Sequence, residues 1–186
     1  ADVARWRDAQ GRAIRYDEPD AVTAAELRAC LADQGTEVAE GDVLRVRFGW
    51  VGWYETQSQD VRDRLAERSG LVAVGFEAGV DLARTLWNLH VAAVGTDTPG
   101  FEAWPLGQGL SREEVEAYRS EQVRLHEIFA HTVLLPMLGL PLGELFALEA
   151  LADDCAADGH YGFMITSAPL NLPNGVASPP CALAIK

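Results

Sequence analysis

The sequence predicts an α/β or α+β fold in one domain, because strand-period and helix-period segments alternate along all 186 residues. Three observations carry that prediction. Capping boxes open two helices, at Thr23-Ala24-Ala25-Glu26 and at Ser111-Arg112-Glu113-Glu114. Val91-Ala92-Ala93-Val94-Gly95 is an apolar run typical of a strand buried on both faces. Between these segments fall glycine- and proline-rich stretches with turn chemistry.

In chain order, the stretch from Ala1 to Asp20 is polar and closes on the surface turn Asp17-Glu18-Pro19-Asp20. The helix after Thr23 places Ala24, Leu27, Cys30 and Leu31 on one stripe and stops at Gly35. Gly41-Asp42 opens a strand with Leu44, Val46 and Phe48 on one face and Val43, Arg45 and Arg47 on the other. A glycine-punctuated aromatic cluster, Gly49 to Tyr54, follows at its C-terminal end. Residues 56–70 are charged, exposed and partly helical through Val61 and Leu65, and Leu71–Gly75 reads as a short buried strand.

A helix around Leu82–Leu89 feeds the Val91 strand. Thr96–Gly109 then forms a long proline/glycine loop of the kind that often carries function. The second capping box starts a helix expected to run to about Leu135, before Pro136. Ala147–Ala157 forms a third amphipathic helix closed by Gly159. Tyr161–Ser167 and Ala182–Ile185 read as strands flanking the loop Ala168–Pro180.

Composition excludes several function classes. With 15 Lys+Arg against 28 Asp+Glu the net charge is −13, which opposes binding to nucleic acid or to an anionic membrane surface. No apolar run approaches the ~20 residues of a membrane span. The start at Ala1 has no signal-peptide pattern, and Cys30, Cys155 and Cys181 suit a reducing compartment, so the sequence predicts a cytoplasmic protein. The sole lysine, Lys186, is terminal, which argues against Schiff-base catalysis. Nucleophile-elbow, phosphate-loop and dinucleotide motifs do not occur.

His126-Glu127-Ile128-Phe129-Ala130-His131 is one residue longer than the zinc-protease pattern H-E-x-x-H. Residues five apart lie about 140° apart around a helix, so the two histidines cannot share one zinc from an unbroken helix. Glu113, Glu114 and Glu116 read as a solvated first turn, and Asp153, Asp154 and Asp158 as a wet helix face. Trp50 and Trp53 fit either core packing or a pocket for a planar ligand. Ser178 fits either turn capping or a ligand-facing hydroxyl.

Four ordered stretches resemble the cyclase family of metal-dependent hydrolases, which includes bacterial kynurenine formamidase and isatin hydrolase. They are Gly41–Trp50 (similar to GDVLLVRTGW), Val91–Asp97 (VAAVGxD), His131–Glu144 (HxxLLxxLGIxxxE) and Ala168–Pro180 (APLxLxGGxGSP). They cover about residues 41–186. Phe48 stands where the family usually has Thr, and Ala177 where it usually has Gly. The family's signature H-x-G-T-H-x-D-x-x-x-H, which carries most metal ligands and the general base, is absent; no histidine precedes residue 41. With no initiator Met either, the chain reads as the C-terminal portion of a longer polypeptide.

The resemblance implies a swivelling β/β/α domain, a β-barrel-like core flanked by helices, incomplete at its N-terminus. It implies metal-dependent hydrolysis of a C–N bond in a small formamide, lactam or related amide, with Zn or Mn as cofactor and the catalytic residues upstream. The family name suggests an alternative, a cyclase or dehydratase step on a polyketide-like substrate; a third reading is a non-catalytic remnant that binds a ligand or partner. Expected partners are a small-molecule substrate and further copies of the chain, as a homodimer or higher homo-oligomer. Trp50, Trp53 and Ser178 are the candidate substrate contacts. His131 and Glu144 match the second metal site of the kynurenine formamidase branch, at a spacing one residue longer. In the plainer alternative His131 packs against a helix end, and Glu144 or Glu149 is merely exposed. Two ligands alone rarely hold a metal, so this chain by itself is expected to bind none stoichiometrically and to catalyse nothing.

Overall fold

The strand with Leu44 and Val46 on its inner face becomes the first member of a three-stranded parallel sheet. In the computed structural model, which describes residues 1–67, 69–107, 110–120, 122–175 and 177–186, that strand is β2 (Val43–Val46). It pairs with β4 (Ala93–Thr96) from Val43 opposite Ala93 to Val46 opposite Thr96. β4 pairs in turn with β5 (Leu142–Gly143), giving the order β2-β4-β5. A second parallel pair joins β1 (Ala21–Val22) to β3 (Gly75–Phe76), and an antiparallel hairpin joins β6 (Met164–Thr166) to β7 (Leu183–Ile185).

Helices pack on these strands with the stripes their periodicity dictates. α2 (Ala24–Asp33) opens on the Thr23/Glu26 capping box, and Ala24, Leu27, Cys30 and Leu31 are its buried residues. α5 (Val80–Asn88) buries Leu82, Thr85 and Leu86. The apolar members of these stripes join Phe48, Val74, Phe76, Val94, Phe101 and Leu134 in one core. α4 (Gln59–Ala66) lies outside and buries only Leu65. α8 (Glu149–Asp158) is closed by Gly159 in the left-handed conformation, as its sequence position implies.

The structure departs from the sequence expectation at four places. The polar N-terminus contains a helix, α1 (Val3–Ala9), whose buried side chains include Arg7. Arg7 grips Glu26 with two hydrogen bonds, at 3.0 and 2.8 Å, and Asp20 at 2.8 Å, so its burial depends on partners 13 and 19 residues away. The aromatic cluster after β2 is helical, forming α3 (Trp50–Glu55). The strand expected over Leu71–Gly75 is displaced to β3, because Ala73 pairs antiparallel with Trp104 while Gly75 and Phe76 align with Ala21 and Val22. Finally, the helix expected from Arg112 to Leu135 is three pieces: α6 (Arg112–Ser120), a 3₁₀ turn (Gln122–Glu127) and α7 (His131–Leu134). It cannot continue through His131, whose backbone N–H donates to the Glu102 carboxylate instead of to a helical carbonyl.

Candidate functional site

The site is built where the loop after β4 meets the two ends of the 131–144 segment. Asp97, fully buried at the end of β4, accepts hydrogen bonds from the Phe48 and Gly49 amides at 2.7 and 2.6 Å. This ties the loop to the start of α3, where Gly49 takes φ +83°. Burial pushes the Asp97 carboxyl up to about 6, although those two amides pull against the shift. Farther along, Phe76 donates to the Phe101 carbonyl and Ala103 to that of Phe76, and the Glu102 backbone crosses directly over Gly75. A Cβ at residue 75 would come within 2.3 Å of the Glu102 carbonyl carbon, so this approach requires glycine.

Glu144 arrives just after β5. Leu145 donates to Thr98 and Phe146 to Thr96, both at 3.1 Å, which brings the 144–146 turn against the same loop. The Phe101 amide then donates to Glu144 Oε1 at 2.8 Å. His131 enters as the first residue of α7 and lies between two carboxylates. Its Nδ1 is 2.9 Å from both oxygens of Glu102, and its Nε2 is 3.4 Å from Glu144 Oε1. Phe129 stacks on the imidazole at 4.9 Å and Phe101 meets it edge-on at 6.5 Å.

The side chains are 23% exposed for His131, 3% for Glu102 and 32% for Glu144, so solvent reaches the group from the Glu144 side. Burial alone would lower the imidazolium's proton affinity. Hydrogen bonds and Coulomb attraction from Glu102 and Glu144 outweigh it and raise the pKa to about 9. The contacts to Glu102 and Glu144 thus favour the charged form of the His131 ring.

His131 and Glu144, paired by the family resemblance, are thus brought together from separate elements; Pro136 and a left-handed Gly139 turn the chain between them. Glu102 is the residue that sequence reading missed. Its signal is that it and Asp97 are the only carboxylates in the loop Thr96–Gly109. The other candidates make different contacts. Trp50 is buried, stacks on Tyr54 at 5.0 Å and lies 6.1 Å from Trp53, which stacks on Tyr16 at 5.5 Å. The Trp50 indole N–H is buried without an acceptor. Ser178 accepts from the Leu170 amide at 3.0 Å and donates to the Pro179 carbonyl, an arrangement that closes its own loop. Glu149 is engaged by Arg47 rather than left exposed. His126 lines an apolar groove with Trp87, Val133 and Met137.

Parallel strands flanked by helices make this a mixed α/β protein. The chain belongs to the family described as "Putative cyclase", whose profile matches residues 3–103, more than half its length. A solved structure of a novel cyclase is 27% identical, with a TM-score of 0.73, covering 100% of this chain and 51% of its own. A second solved structure, an isatin hydrolase bound to the product analogue thioisatinate, is 20% identical with a TM-score of 0.59; it covers 98% of this chain and 56% of its own, and shows the shared fold. The chain therefore spans about half the length of these solved structures. No curated protein matches it. Among the described residues, no helix is long and apolar enough to cross a membrane.

Proposed function

We propose that this chain supplies half of the metal site of a metal-dependent hydrolase acting on a C–N bond of a small formamide, lactam or related amide. The observation that carries the reading is the convergence of His131 Nε2 and Glu144 Oε1, 3.4 Å apart, on the solvent-facing side of the group. Imidazole and carboxylate are a donor pair suited to Zn or Mn. Two ligands bound at about 2.0–2.2 Å in tetrahedral geometry are themselves separated by roughly 3.4 Å, so the residues fit a divalent cation. Among the described residues no three His, Cys, Asp or Glu side chains form a metal-binding group, because Glu102 and Glu144 face opposite nitrogens of the ring. The remaining ligands would come from outside this chain.

A divalent ion bound there would polarise a carbonyl and activate water. The chain's own residues prepare that position. The Phe101 amide fixes one Glu144 oxygen, Glu102 holds His131 from behind, and Phe129 and Phe101 screen the ring from water. A cation there would need Nε2 without its proton, in place of the present contact between Nε2 and Glu144.

The test joins residues 1–186 to an upstream segment carrying H-x-G-T-H-x-D-x-x-x-H. With Mn²⁺ or Zn²⁺, the joined protein is expected to bind metal and to hydrolyse N-formylkynurenine or isatin, and His131→Ala or Glu144→Gln to lower its metal content. The chain alone should do neither. One tightly held metal per isolated chain would refute the half-site, and a metal-loaded joined protein inert toward both amides would refute amide hydrolysis.

A further inference from the structure

We infer that Glu102 is the positioning residue of this site: its carboxylate fixes the imidazole of His131 so that Nδ1 keeps its proton and Nε2 is the nitrogen presented beside Glu144. The inference rests on the half-site reading above. Its evidence is geometric. One carboxylate makes three contacts with one residue, accepting the His131 backbone N–H at 2.8 Å and lying 2.9 Å from Nδ1 with each oxygen. These contacts set both the start of α7 and the orientation of the ring. The backbone that carries this carboxylate is anchored, since Glu102 bridges Phe76 and packs over Gly75, while Phe129 stacked on the ring opposes rotation.

Two carboxylates compete for ring protons, and the contest is unequal. Glu102 is 3% exposed and in close contact, whereas Glu144 is 32% exposed and 3.4 Å away. Among the described residues no Lys or Arg pairs with Glu102, and its buried carboxylate meets the backbone N–H and Nδ1 of His131 instead. A neutral ring is favoured with its proton on Nδ1, because Glu102 lies closer to Nδ1 than Glu144 does to Nε2 and is the more buried acceptor. A single arrangement then serves both conditions of the site. The Nδ1–H···Glu102 bond persists when Nε2 turns from donor to ligand, as outer-sphere carboxylates do for ligating histidines generally.

The experiment is ¹⁵N NMR of the His131 ring in the metal-free chain, recorded above the pH at which the ring becomes neutral. The wild-type protein is expected to show the Nδ1–H tautomer. Glu102→Gln, equal in size, should shift the ring toward Nε2–H, while Glu144→Gln should leave the proton on Nδ1. A structural role alone would not produce that asymmetry. An Nε2–H tautomer in the wild-type chain, or equal responses to the two variants, would overturn the assignment even if Glu102→Gln misfolded. A Zn²⁺ titration of the joined protein separates this inference from the reading beneath it. Zinc should shift Nε2 and bind about 10- to 100-fold more weakly after Glu102→Gln. No zinc-induced shift, with the tautomer asymmetry intact, would leave Glu102 as the positioning residue and defeat the metal site.

Discussion

The segment from Ala1 to Gly107 and the segment from Leu110 onward are built on different terms. Most of the core comes from the first, from Val3 through Phe101, with buried ion pairs tying α1 to α2 and to the residues flanking β1 and β2. The second contributes few core residues, chiefly Ala130, Leu134 and Leu140, and ends in a hairpin whose apolar side chains are largely exposed. The candidate site spans both. Glu102 belongs to the densely packed part, while His131 and Glu144 come from the other and are held by hydrogen bonds to the 96–102 loop. A sparsely packed segment can therefore still place two side chains closely if a rigid loop supplies the anchors.

Removing the locks of the dense part should have the largest effect. Arg7 is 6% exposed and bonds two carboxylates and the Ala21 carbonyl. Arg7→Ala leaves Glu26 and Asp20 without their buried partner and should cost about 3–5 kcal/mol, read as a lower urea midpoint. Unchanged stability would mean that the ion pairs do not support the N-terminal segment.

Titration should separate the two parts further, because they are expected to fail at opposite ends of the pH scale. Burial would raise the Glu26 carboxyl, but hydrogen bonds from Arg7 and Thr23 outweigh it and hold it at about 2 against an ordinary 4.5. A lowered folded-state pKa gives stability that is full above 4.5 and lost as pH falls toward 2. His131, raised from 6.5 to about 9, works in reverse: its contribution is full below 6.5 and lost as pH climbs through 9. Each limb should amount to on the order of 1–2 kcal/mol once screening of partly exposed groups is allowed for. Urea midpoints from pH 3 to 10 test this: Arg7→Ala should flatten the acid limb and His131→Gln the alkaline one. Loss of both limbs in either variant would show the two parts to be coupled.

What the sequence revealed follows the same division between local and distant causes. The α2 stripe, the Gly159 stop and the alternating faces of β2 are local patterns, and each appears where periodicity placed it. α1 was hidden because its buried Arg7 depends on Asp20 and Glu26. The break before His131 was hidden because Glu102, far upstream in the chain, takes the amide a continuous helix would use. The His131–Glu144 pair was legible through the family resemblance, whereas Glu102 was marked only by its place in the 96–109 loop and depends on the passage of its backbone over Gly75, a tertiary contact.

The smallest effect is expected in the terminal hairpin. Leu183 is 64% exposed and Met164 58%, and an isolated two-stranded hairpin gains little from such side chains. β7 is tethered through Lys186, which bonds Asp158 at 2.7 Å and pairs with Asp154 at 3.3 Å on α8, rather than by burial of its apolar residues. Leu183→Thr keeps a residue suited to a strand and gives up a side chain already largely hydrated. It should change the folding free energy by less than about 0.5 kcal/mol, measured by the same urea titration. A loss of about 2 kcal/mol would instead mean that Leu183 is covered in solution, placing the hairpin with the packed part of the molecule.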